Sequence, residues 1–438
     1  MKHSNLFVIA AMFALVFGVA DIRHANAQAS AETSQLAFPG AMGWAATTPG
    51  GRGGQIIRVT NLNASGPGSF REAIDTIGPR IVVFEVGGVI DLDVEEVRIR
   101  EPFLTIAGQT APSPGITFIR GGFVVATHDV VIQHIRVRPG EAGLPKMAGP
   151  DFDGISVNGY NVIVDHCSLT WATDENLSAS GGRFNGETPE QWREGTAHRV
   201  SFTNNIIAEG LAHATHQKGE HSKGSLIHDN TSEILIARNV YSSNMERSPL
   251  FKGGVHGAII NNVIYNPGRR AIHYNLLPAE WVGHEYQVGM MTMIGNVLRG
   301  GPDTAEGLPM LTIGGGGDLE LYARDNIAMD QFGVELPFLG RYTSGSAEVR
   351  RVSRAAIVAP GVTPLPARDV EASVLLDAGA RPWDRDPNDW RVIADVSEGR
   401  GAIIDSETEV GGYPIVEPTQ APFNPDEWDL STMTRRSD

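Results

Sequence analysis

Cysteine is nearly absent from this 438-residue sequence, and the single Cys167 excludes an intramolecular disulfide bond. Stability must therefore come from burial of side chains or from bound metal. Cys167 lies among apolar residues in the stretch VIVDHCSLTW. We interpret it as a buried structural thiol rather than a nucleophile, because nothing around it in the sequence indicates an activated thiolate.

Positive charge is also scarce, because 35 Lys and Arg residues face 51 Asp and Glu residues and the net charge is −16. This balance argues against a protein that binds nucleic acid through its phosphates. It argues equally against a polybasic protein of the membrane surface. We therefore expect no nucleic-acid partner and, for the mature form, no membrane partner.

A long apolar run occurs only near the N-terminus, where LFVIAAMFALVFGVA follows the positive charge of Lys2. The small residues Ala25-Asn26-Ala27 then offer a cleavage site. This order predicts a signal peptide over residues 1–27 that is cleaved after Ala27, with an uncleaved membrane anchor as the alternative. Since no later stretch is long enough to span a bilayer, we expect a secreted or periplasmic protein.

Helical periodicity is almost absent between about residues 50 and 335, where short β-type runs alternate with polar turns. A recurring signature places Asn second and an apolar residue third, with its Asn residues 34, 23, 34 and 30 positions apart. The signature occurs as NNII at 204–207, RNVY at 238–241, NNVI at 261–264, GNVL at 295–298 and DNIA at 325–328. Such an irregular period is typical of a solenoid, in which equivalent Asn side chains form a ladder and tolerate left-handed backbone geometry.

We therefore predict an all-β fold, a parallel β-helix over residues 28–345, with successive turns about 4.8 Å apart. A β-sandwich or a propeller is the alternative. Hairpins of those folds favour Asn-Gly or Asp-Gly turns, and only VNGY at 157–160 offers one clearly.

From about residue 346 the sequence becomes richer in Ala, Arg, Asp and Pro. Two short helices are predicted there, around 368–378 and 386–398. We expect residues 346–438 to form a C-terminal extension that packs along the solenoid or caps its end. A separate binding module is the alternative, but no compact repeat of aromatic residues supports it.

Three carboxylates gather between residues 162 and 178, in VIVDHCSLTWATDENLS. With Val162 and Val164 facing the core, Asp165 falls on the outer surface of a sheet. Asp174 and Glu175 follow at the next corner. Oxygen ligands on a rigid frame suit a hard cation such as Ca²⁺, so these three residues are the predicted metal ligands. A solvated acidic loop is the alternative.

Residues 218–270 are basic within an acidic chain, since seven Lys and Arg residues there face four Asp and Glu residues. In a solenoid, this section lies one to three turns from the acidic residues. A positive strip beside carboxylates suits a polyanionic ligand held partly by metal. The candidate residues are Lys218, Lys223, Arg247, Lys252 and Arg270, although each Lys could instead be a solvated surface charge.

Several motifs, taken in order, resemble those of the polysaccharide lyase family that includes the pectate lyases. They are VIVDH, TDE, HSKGSLI, RSPLFK and NNVIYNPG, and the stretches at 37–74 and 378–414 resemble bacterial members. The resemblance covers nearly all of the mature chain. It implies a right-handed parallel β-helix with Ca²⁺ in a groove on one sheet, and β-elimination on polygalacturonate, the acidic polymer of de-esterified pectin.

The resemblance also implies residue roles on the acidic side. Asp165 corresponds to the Ca²⁺ ligand of the family's DH motif, and Asp174, with Glu175, stands where the family has a second acidic group. The family often has two Asp residues four apart in this segment, whereas Thr170 and Trp171 occupy the earlier positions here.

On the basic side, Lys223 matches a lysine that holds the substrate carboxylate, and Arg247 matches the arginine proposed as catalytic base. Lys252 stands where many members have a second arginine, so recognition of a carboxylate there should be less directional. The reaction removes the C5 proton and expels the glycosidic oxygen at C4. Nearby cations favour the neutral form of Arg247, so we expect an alkaline activity optimum.

Two other functions stay open. A polygalacturonase-like hydrolase shares the β-helix and uses paired carboxylates, and DFDGISV at 151–157 could supply one, although we interpret Asp153 as a turn residue. A non-catalytic glycan-binding β-helix would keep the groove without a functional Arg247. We expect a monomer with an acidic polysaccharide, polygalacturonate or pectin, as its partner.

Overall fold

A computed structural model describes residues 35–436, in which short parallel strands dominate the backbone. Most turns of the chain contribute one strand to each of three sheets, and strands of successive turns pair in parallel. This architecture is a parallel β-helix, so the predicted fold class is confirmed. The predicted signal peptide, residues 1–27, lies outside the described residues.

Sheet 1 has eleven strands within residues 35–436. They are Gln55–Val59, Arg80–Phe84, Leu104–Ala107, Val130–Gln133, Tyr160–Asp165, His198–Thr203, Ser232–Ala237, His256–Ile260, Gly289–Ile294, Leu319–Arg324 and Val349–Arg351. Sheet 2, in the same part of the chain, has nine. They are Val97–Ile99, Phe123–Val125, Ile155–Val157, Leu177–Ala179, Leu226–Ile227, Leu250–Lys252, Ile272–Leu276, Leu311–Gly315 and Leu339–Arg341.

Sheet 3 has ten described strands. They are Val86–Asp91, Ile116–Ile119, Ile135–Arg138, Ser168–Thr170, Ile206–Ala208, Val240–Ser242, Val263–Tyr265, Val297–Arg299, Ile327–Met329 and the antiparallel Thr419–Gln420. A separate antiparallel pair consists of Trp428–Asp429 and Thr434–Arg435.

The core fills the interior of the solenoid with stacked apolar side chains. Val162 pairs in register with Val130 on one side and Val200 on the other, and all three are fully buried. Val164, two residues further along the same strand, is also fully buried. Apolar side chains thus stack on apolar side chains of the next turn and form one continuous core. This stacking also fixes the register of the residues that point outward.

The predicted asparagine ladder runs along the corner between sheets 1 and 3. Oδ1 of Asn239 accepts the backbone and amide N–H groups of Asn205, at 2.9 and 3.0 Å, and the Asn239 amide donates to Asn262 Oδ1 at 2.9 Å. The same contacts continue through Asn262, Asn296 and Asn326. The ladder prediction is therefore confirmed, and each amide satisfies backbone groups that the sharp corner would leave unpaired.

The left-handed backbone falls one residue before each ladder position, not on the ladder asparagines themselves. This left-handed column has φ between 48° and 65° at His134, His166, Asn204, Arg238, Asn261, Gly295 and Asp325. Cys167 occupies the ladder position one turn before Asn205, to which its N–H donates at 2.8 Å. It is fully buried and burial raises its pKa to about 12, so the interpretation as a structural thiol is confirmed.

Four α-helices lie within residues 35–436: α1 Phe70–Asp75, α2 Pro189–Glu194, α3 Ala367–Asp377 and α4 Pro387–Glu398. Short 3₁₀ turns occupy Gly108–Thr110, Pro278–Glu280, Glu407–Val410 and Pro425–Glu427. The helices predicted at 368–378 and 386–398 are α3 and α4, each within one residue. None of the described helices combines the length and the apolar character that crossing a membrane requires.

Helices α3 and α4 cover the outer face of sheet 3. Val370 and Val392 pack with Val240 and Val263 in a second apolar cluster. Beside it lies a buried ionic group, in which Arg138 donates to Asp386 at 2.6 Å and to Asp389 at 2.9 Å. Apolar contact and paired charge together hold these helices on the sheet.

Candidate active site

Charged side chains form a column along the edge of sheet 2 where the chain enters each strand. Register aligns Ile155 with Leu177, and successive pairings carry this alignment onward through Ser225 and Pro249 to Ile272. The residues two positions before these five lie on successive turns. They form the charge column Asp153, Glu175, Lys223, Arg247 and Arg270. The basic members lie one to three turns from Glu175, as predicted.

Three carboxylates meet at the acidic end of the charge column. One oxygen from each of Asp153, Asp174 and Glu175 lies within 4.8 Å of the others, a spacing from which they could hold a metal ion. Asp153 Oδ1 also accepts the backbone N–H of Glu175 at 3.0 Å, which fixes the two turns against each other. An all-oxygen donor set of this kind suits a hard cation.

The electrostatics of this acidic group favour a cation. Burial, together with the negative charge of Asp174, raises the pKa of Asp153 to about 8. Burial acts to raise the pKa of Asp174, but the hydrogen bond from His221 and the charges of His221, His216 and Arg247 together outweigh it, so the pKa of Asp174 is lowered. Asp174 is therefore ionised beside an Asp153 whose charge is disfavoured, and positive charge between them would relieve the repulsion.

The next turns bring in three cations. Lys223 contacts Glu246, Arg270 contacts the other oxygen of Glu246, and Arg247 contacts Glu175. Burial and the charges of Arg269 and Arg270 lower the pKa of Lys223 to about 7. Burial also lowers the pKa of Arg247, although Asp174 and Asp153 oppose the shift.

Tyr342 closes the basic end of the charge column. The Arg270 guanidinium lies over its ring at 4.5 Å from the centroid, and the ring of His273 meets it edge-on at 5.8 Å. An aromatic face beside stacked cations is a surface that a sugar ring can contact.

The structure places the other two predicted ligand-binding lysines apart from this group. Lys252 is at the opposite end of its strand, where it pairs with Asp229 at 3.1 Å and contacts Glu280. Arg183 binds the same two carboxylates at 3.0 Å each. Lys218 is exposed in the loop before Lys223.

Asp165 is also outside the acidic group, because the chain passes through the strand Ser168–Thr170 of sheet 3 before it reaches Asp174. As predicted, Asp165 faces outward from sheet 1, yet it is only 1% exposed. Its carboxylate accepts hydrogen bonds from Thr203 at 2.7 Å and Asn204 at 2.9 Å, and it pairs with His166 at 2.7 Å. None of the described groups of metal-capable side chains includes it.

Asp165 and His166 form a largely buried ion pair that shifts the pKa of both groups. Although burial acts in the opposite direction on each group, their mutual attraction holds the pKa of Asp165 well below its usual value. Asp165 and Asp377 likewise raise the pKa of His166 to about 10 against the effect of burial. His166 is therefore cationic at neutral pH.

Two residues of the acidic end were not assigned from the sequence. Asp153 was interpreted as a turn residue, but it stands two positions before the strand Ile155–Val157, as Glu175 does before Leu177–Ala179. Aligning the first residues of these two strands in the sequence would have identified Asp153. His221 donates to Asp174 at 3.0 Å, and its ring stacks on His216 with centroids 3.3 Å apart. These histidines come from a long loop whose path the sequence pattern does not predict.

No family model matches the chain. It is 37% identical over 271 residues to a probable pectate lyase C of Aspergillus flavus, which covers 62% of this chain and 56% of that protein. It is 39% identical over 238 residues to a probable pectate lyase C of Emericella nidulans, with 54% and 49% covered. The chain thus spans about half the length of these relatives.

Solved structures share the fold at low sequence identity. A pectate lyase bound to a hexasaccharide superposes with a TM-score of 0.56 at 14% identity, over 80% of this chain and 100% of that one. A variant pectate lyase of Bacillus subtilis gives 0.54 at 14% identity, over 80% and 99%. The resemblance that the motifs indicated is confirmed: the chain is related in sequence to the pectate lyases and shares their parallel β-helix fold.

Proposed function

We propose that this protein is a Ca²⁺-dependent lyase that cleaves polygalacturonate by β-elimination and yields 4,5-unsaturated oligogalacturonides. One observation carries the proposal. The acidic group Asp153, Asp174 and Glu175 lies at one end of the charge column, beside the buried Lys223 and the partly buried Arg247. A polymer with a carboxylate on every ring could meet both parts of this column at once.

The acidic group is the proposed Ca²⁺ site. Its oxygen donors fit a hard cation, and the raised pKa of Asp153 indicates that the charge of this one carboxyl is poorly compensated. A Ca²⁺ ion held there would supply positive charge against a substrate carboxylate and against the negative charge that develops at C5.

The chain's own cations would carry the remaining steps. Lys223, on the turn between Glu175 and Arg247, would hold the uronate carboxylate. Arg247 would take the C5 proton, since burial lowers its pKa and so favours the neutral guanidine that a base requires. As the proton leaves, a double bond forms between C4 and C5, and the electron pair of the C4–O bond departs with the glycosidic oxygen.

Polygalacturonate distinguishes this activity from the alternatives. We expect ultraviolet absorbance of a conjugated unsaturated uronide to rise with time, to stop when a chelator is added and to return with excess Ca²⁺. Fully methyl-esterified pectin, which lacks free carboxylates, should be cleaved more slowly. Reducing ends without absorbance would instead identify a hydrolase, and neither signal would identify a binding protein.

Arg247→Ala tests the assignment of the base. We expect kcat to fall about 10²- to 10⁴-fold, the range that a general base contributes, with an unchanged melting temperature. Arg199→Ala is the matched control, because Arg199 is half-exposed, pairs with Glu233 at 2.9 Å and lies outside the charge column. Turnover that survives Arg247→Ala would end this assignment.

Hydrolysis stays the second candidate because of Asp153. A carboxyl whose pKa is raised to about 8, beside the ionised Asp174, has the asymmetry of a glycosidase acid and base pair. The absorbance measurement decides between the two.

We further propose export of the chain through the leader at residues 1–27. The mature protein would comprise the solenoid over 28–345 and the extension over 346–438, and would act as a monomer. N-terminal sequencing of protein from the culture fluid or periplasm and sedimentation of the purified protein test these points.

A further inference from the structure

A cavity of about 740 Å³ lies against the corner between sheets 1 and 3, and no residue of the charge column lines it. Its floor includes the outward side chains His166 and Arg238, and its walls include Gln109, Trp383, Phe423 and Trp428. This corner cavity has the volume of a typical small-molecule pocket, with apolar walls and a few polar groups. It also contains Asp165, which the proposed lyase site leaves without a role.

The floor side chains stand on the left-handed column. On the neighbouring turns this column holds Asn204, Asn261 and Gly295, residue types that adopt left-handed geometry at low cost. His166, with φ of 48°, and Arg238, with φ of 58°, occupy the same geometry at a higher cost. Strained positions that carry large polar side chains are typical of functional sites.

Two polar atoms of this lining are buried and lack a hydrogen-bond partner among the described residues: Arg238 Nε and Gln109 Oε1. Arg238 also forms no ion pair within residues 35–436, whereas Arg381, which lines the same cavity, pairs with Asp384 at 2.8 Å. Arg238 therefore brings to the cavity a guanidinium without an ion-pair partner among the described residues, and an anionic ligand would supply that partner.

The walls supply flat apolar surfaces. Trp383 is held against His134, with ring centroids 4.9 Å apart, yet is 62% exposed. Phe423 and Trp428 pack at 6.1 Å on another side of the cavity. Aromatic faces contact the apolar face of a ring, while amide and guanidinium groups bind its hydroxyl and carboxyl groups.

We propose that the corner cavity binds a small sugar acid, of one or two pyranose rings, independently of the lyase groove. Arg238 holds the carboxylate as a planar guanidinium fork does, and Trp383 contacts a ring face. Asp165 is a positioning residue in this site, because it fixes His166 and Asn204 on the floor through its ion pair and hydrogen bond.

Galacturonate and digalacturonate are the probes, titrated in the presence of chelator by tryptophan fluorescence and calorimetry. We expect saturable binding of both to the wild-type chain and at least tenfold weaker binding of galactose, which lacks the carboxylate. Arg238→Gln and Trp383→Ala should each weaken binding at least tenfold and leave cleavage of polygalacturonate unchanged. Trp383→Ala changes a mostly exposed side chain, so its result stands even if Arg238→Gln fails to fold.

Matched controls separate this site from the groove and from general effects. Arg199→Gln and Trp390→Ala should bind as the wild type does, since Arg199 is half-exposed and Trp390 is 55% exposed, and neither lines the cavity. Arg247→Ala should also keep full binding. The proposal is overturned if the wild type does not bind the probes, if galactose binds equally well, if a folded Arg238→Gln or Trp383→Ala binds normally, or if Arg247→Ala abolishes binding.

Discussion

Asp153 and Asp174 are neighbouring carboxyl groups whose pKa values are shifted in opposite directions by the residues around them. Burial and the adjacent charge raise the pKa of Asp153, whereas His221 keeps Asp174 ionised. Asp153 is therefore the member whose charge depends most on a nearby cation.

Removal of this carboxylate should weaken metal binding selectively. We expect Asp153→Asn to raise the Ca²⁺ concentration for half-maximal activity at least tenfold, measured by titration of chelated enzyme, because one of three oxygen ligands loses its charge. Asp151→Asn is the control, since Asp151 is exposed in the same segment and outside the acidic group. An unchanged Ca²⁺ requirement in Asp153→Asn would contradict the proposed site.

His256 predicts a pH dependence of stability away from the site. Burial and the charge of Arg193 lower its pKa to about 4, against about 6.5 in the unfolded chain. The unfolded state binds more protons between these values, so the contribution of His256 is fully present above pH 6.5 and is lost as the pH falls to about 4.

We expect the wild type to lose roughly 2 kcal/mol more stability than His256→Gln between pH 7 and pH 4. Urea unfolding at each pH measures the difference. Parallel losses in the two proteins would show that His256 is not the group responsible.

At the scale of elements, the asparagine ladder holds the corner between sheets 1 and 3 in the C-terminal half of the solenoid. Asn239 is hydrogen-bonded to the ladder asparagines on both sides and also donates to the carbonyl of Phe202 at 2.9 Å. We expect Asn239→Ala to cost about 3 kcal/mol of unfolding free energy, because several buried partners lose their hydrogen bonds. Asn326→Ala, at the partly exposed end of the ladder, should cost about half as much by urea denaturation. Equal costs would argue against a cooperative ladder.

The elements also show what the sequence could predict. Short β-type runs and recurring Asn residues predicted the strands and the ladder because both are local patterns repeated on every turn. Helices α3 and α4 were predicted from composition and lie within one residue of their predicted bounds. The grouping of Asp165 with Asp174 was based on sequence proximity, whereas the intervening sheet 3 strand separates them in space. Asp153 was missed because it was interpreted as a turn residue, although it stands two positions before its strand as Glu175 does.

For the whole molecule, the buried ionic group couples the C-terminal helices to the solenoid. Asp389 is fully buried and accepts from Arg136 at 3.0 Å, Arg138 at 2.9 Å and Ser168 at 2.8 Å. We expect Asp389→Ala to lower the unfolding free energy by about 3–5 kcal/mol, because Asp386 alone would then face the buried guanidinium groups of Arg136 and Arg138. Glu398→Ala, which removes an exposed partner of Arg400, should change it by less than about 0.5 kcal/mol. A small effect of Asp389→Ala on thermal unfolding would mean that apolar packing alone holds these helices.

The charge column has a geometric consequence at this same scale. Its members are separated in sequence by loops of very different length, yet each is placed by the stacking of turns. The stacking of turns therefore sets the spacing of these side chains in steps of about 4.8 Å. Loops can lengthen or shorten without changing the distance from the carboxylates to the guanidinium of Arg247. Adding or deleting one whole turn between them would instead change that distance by the spacing of one turn.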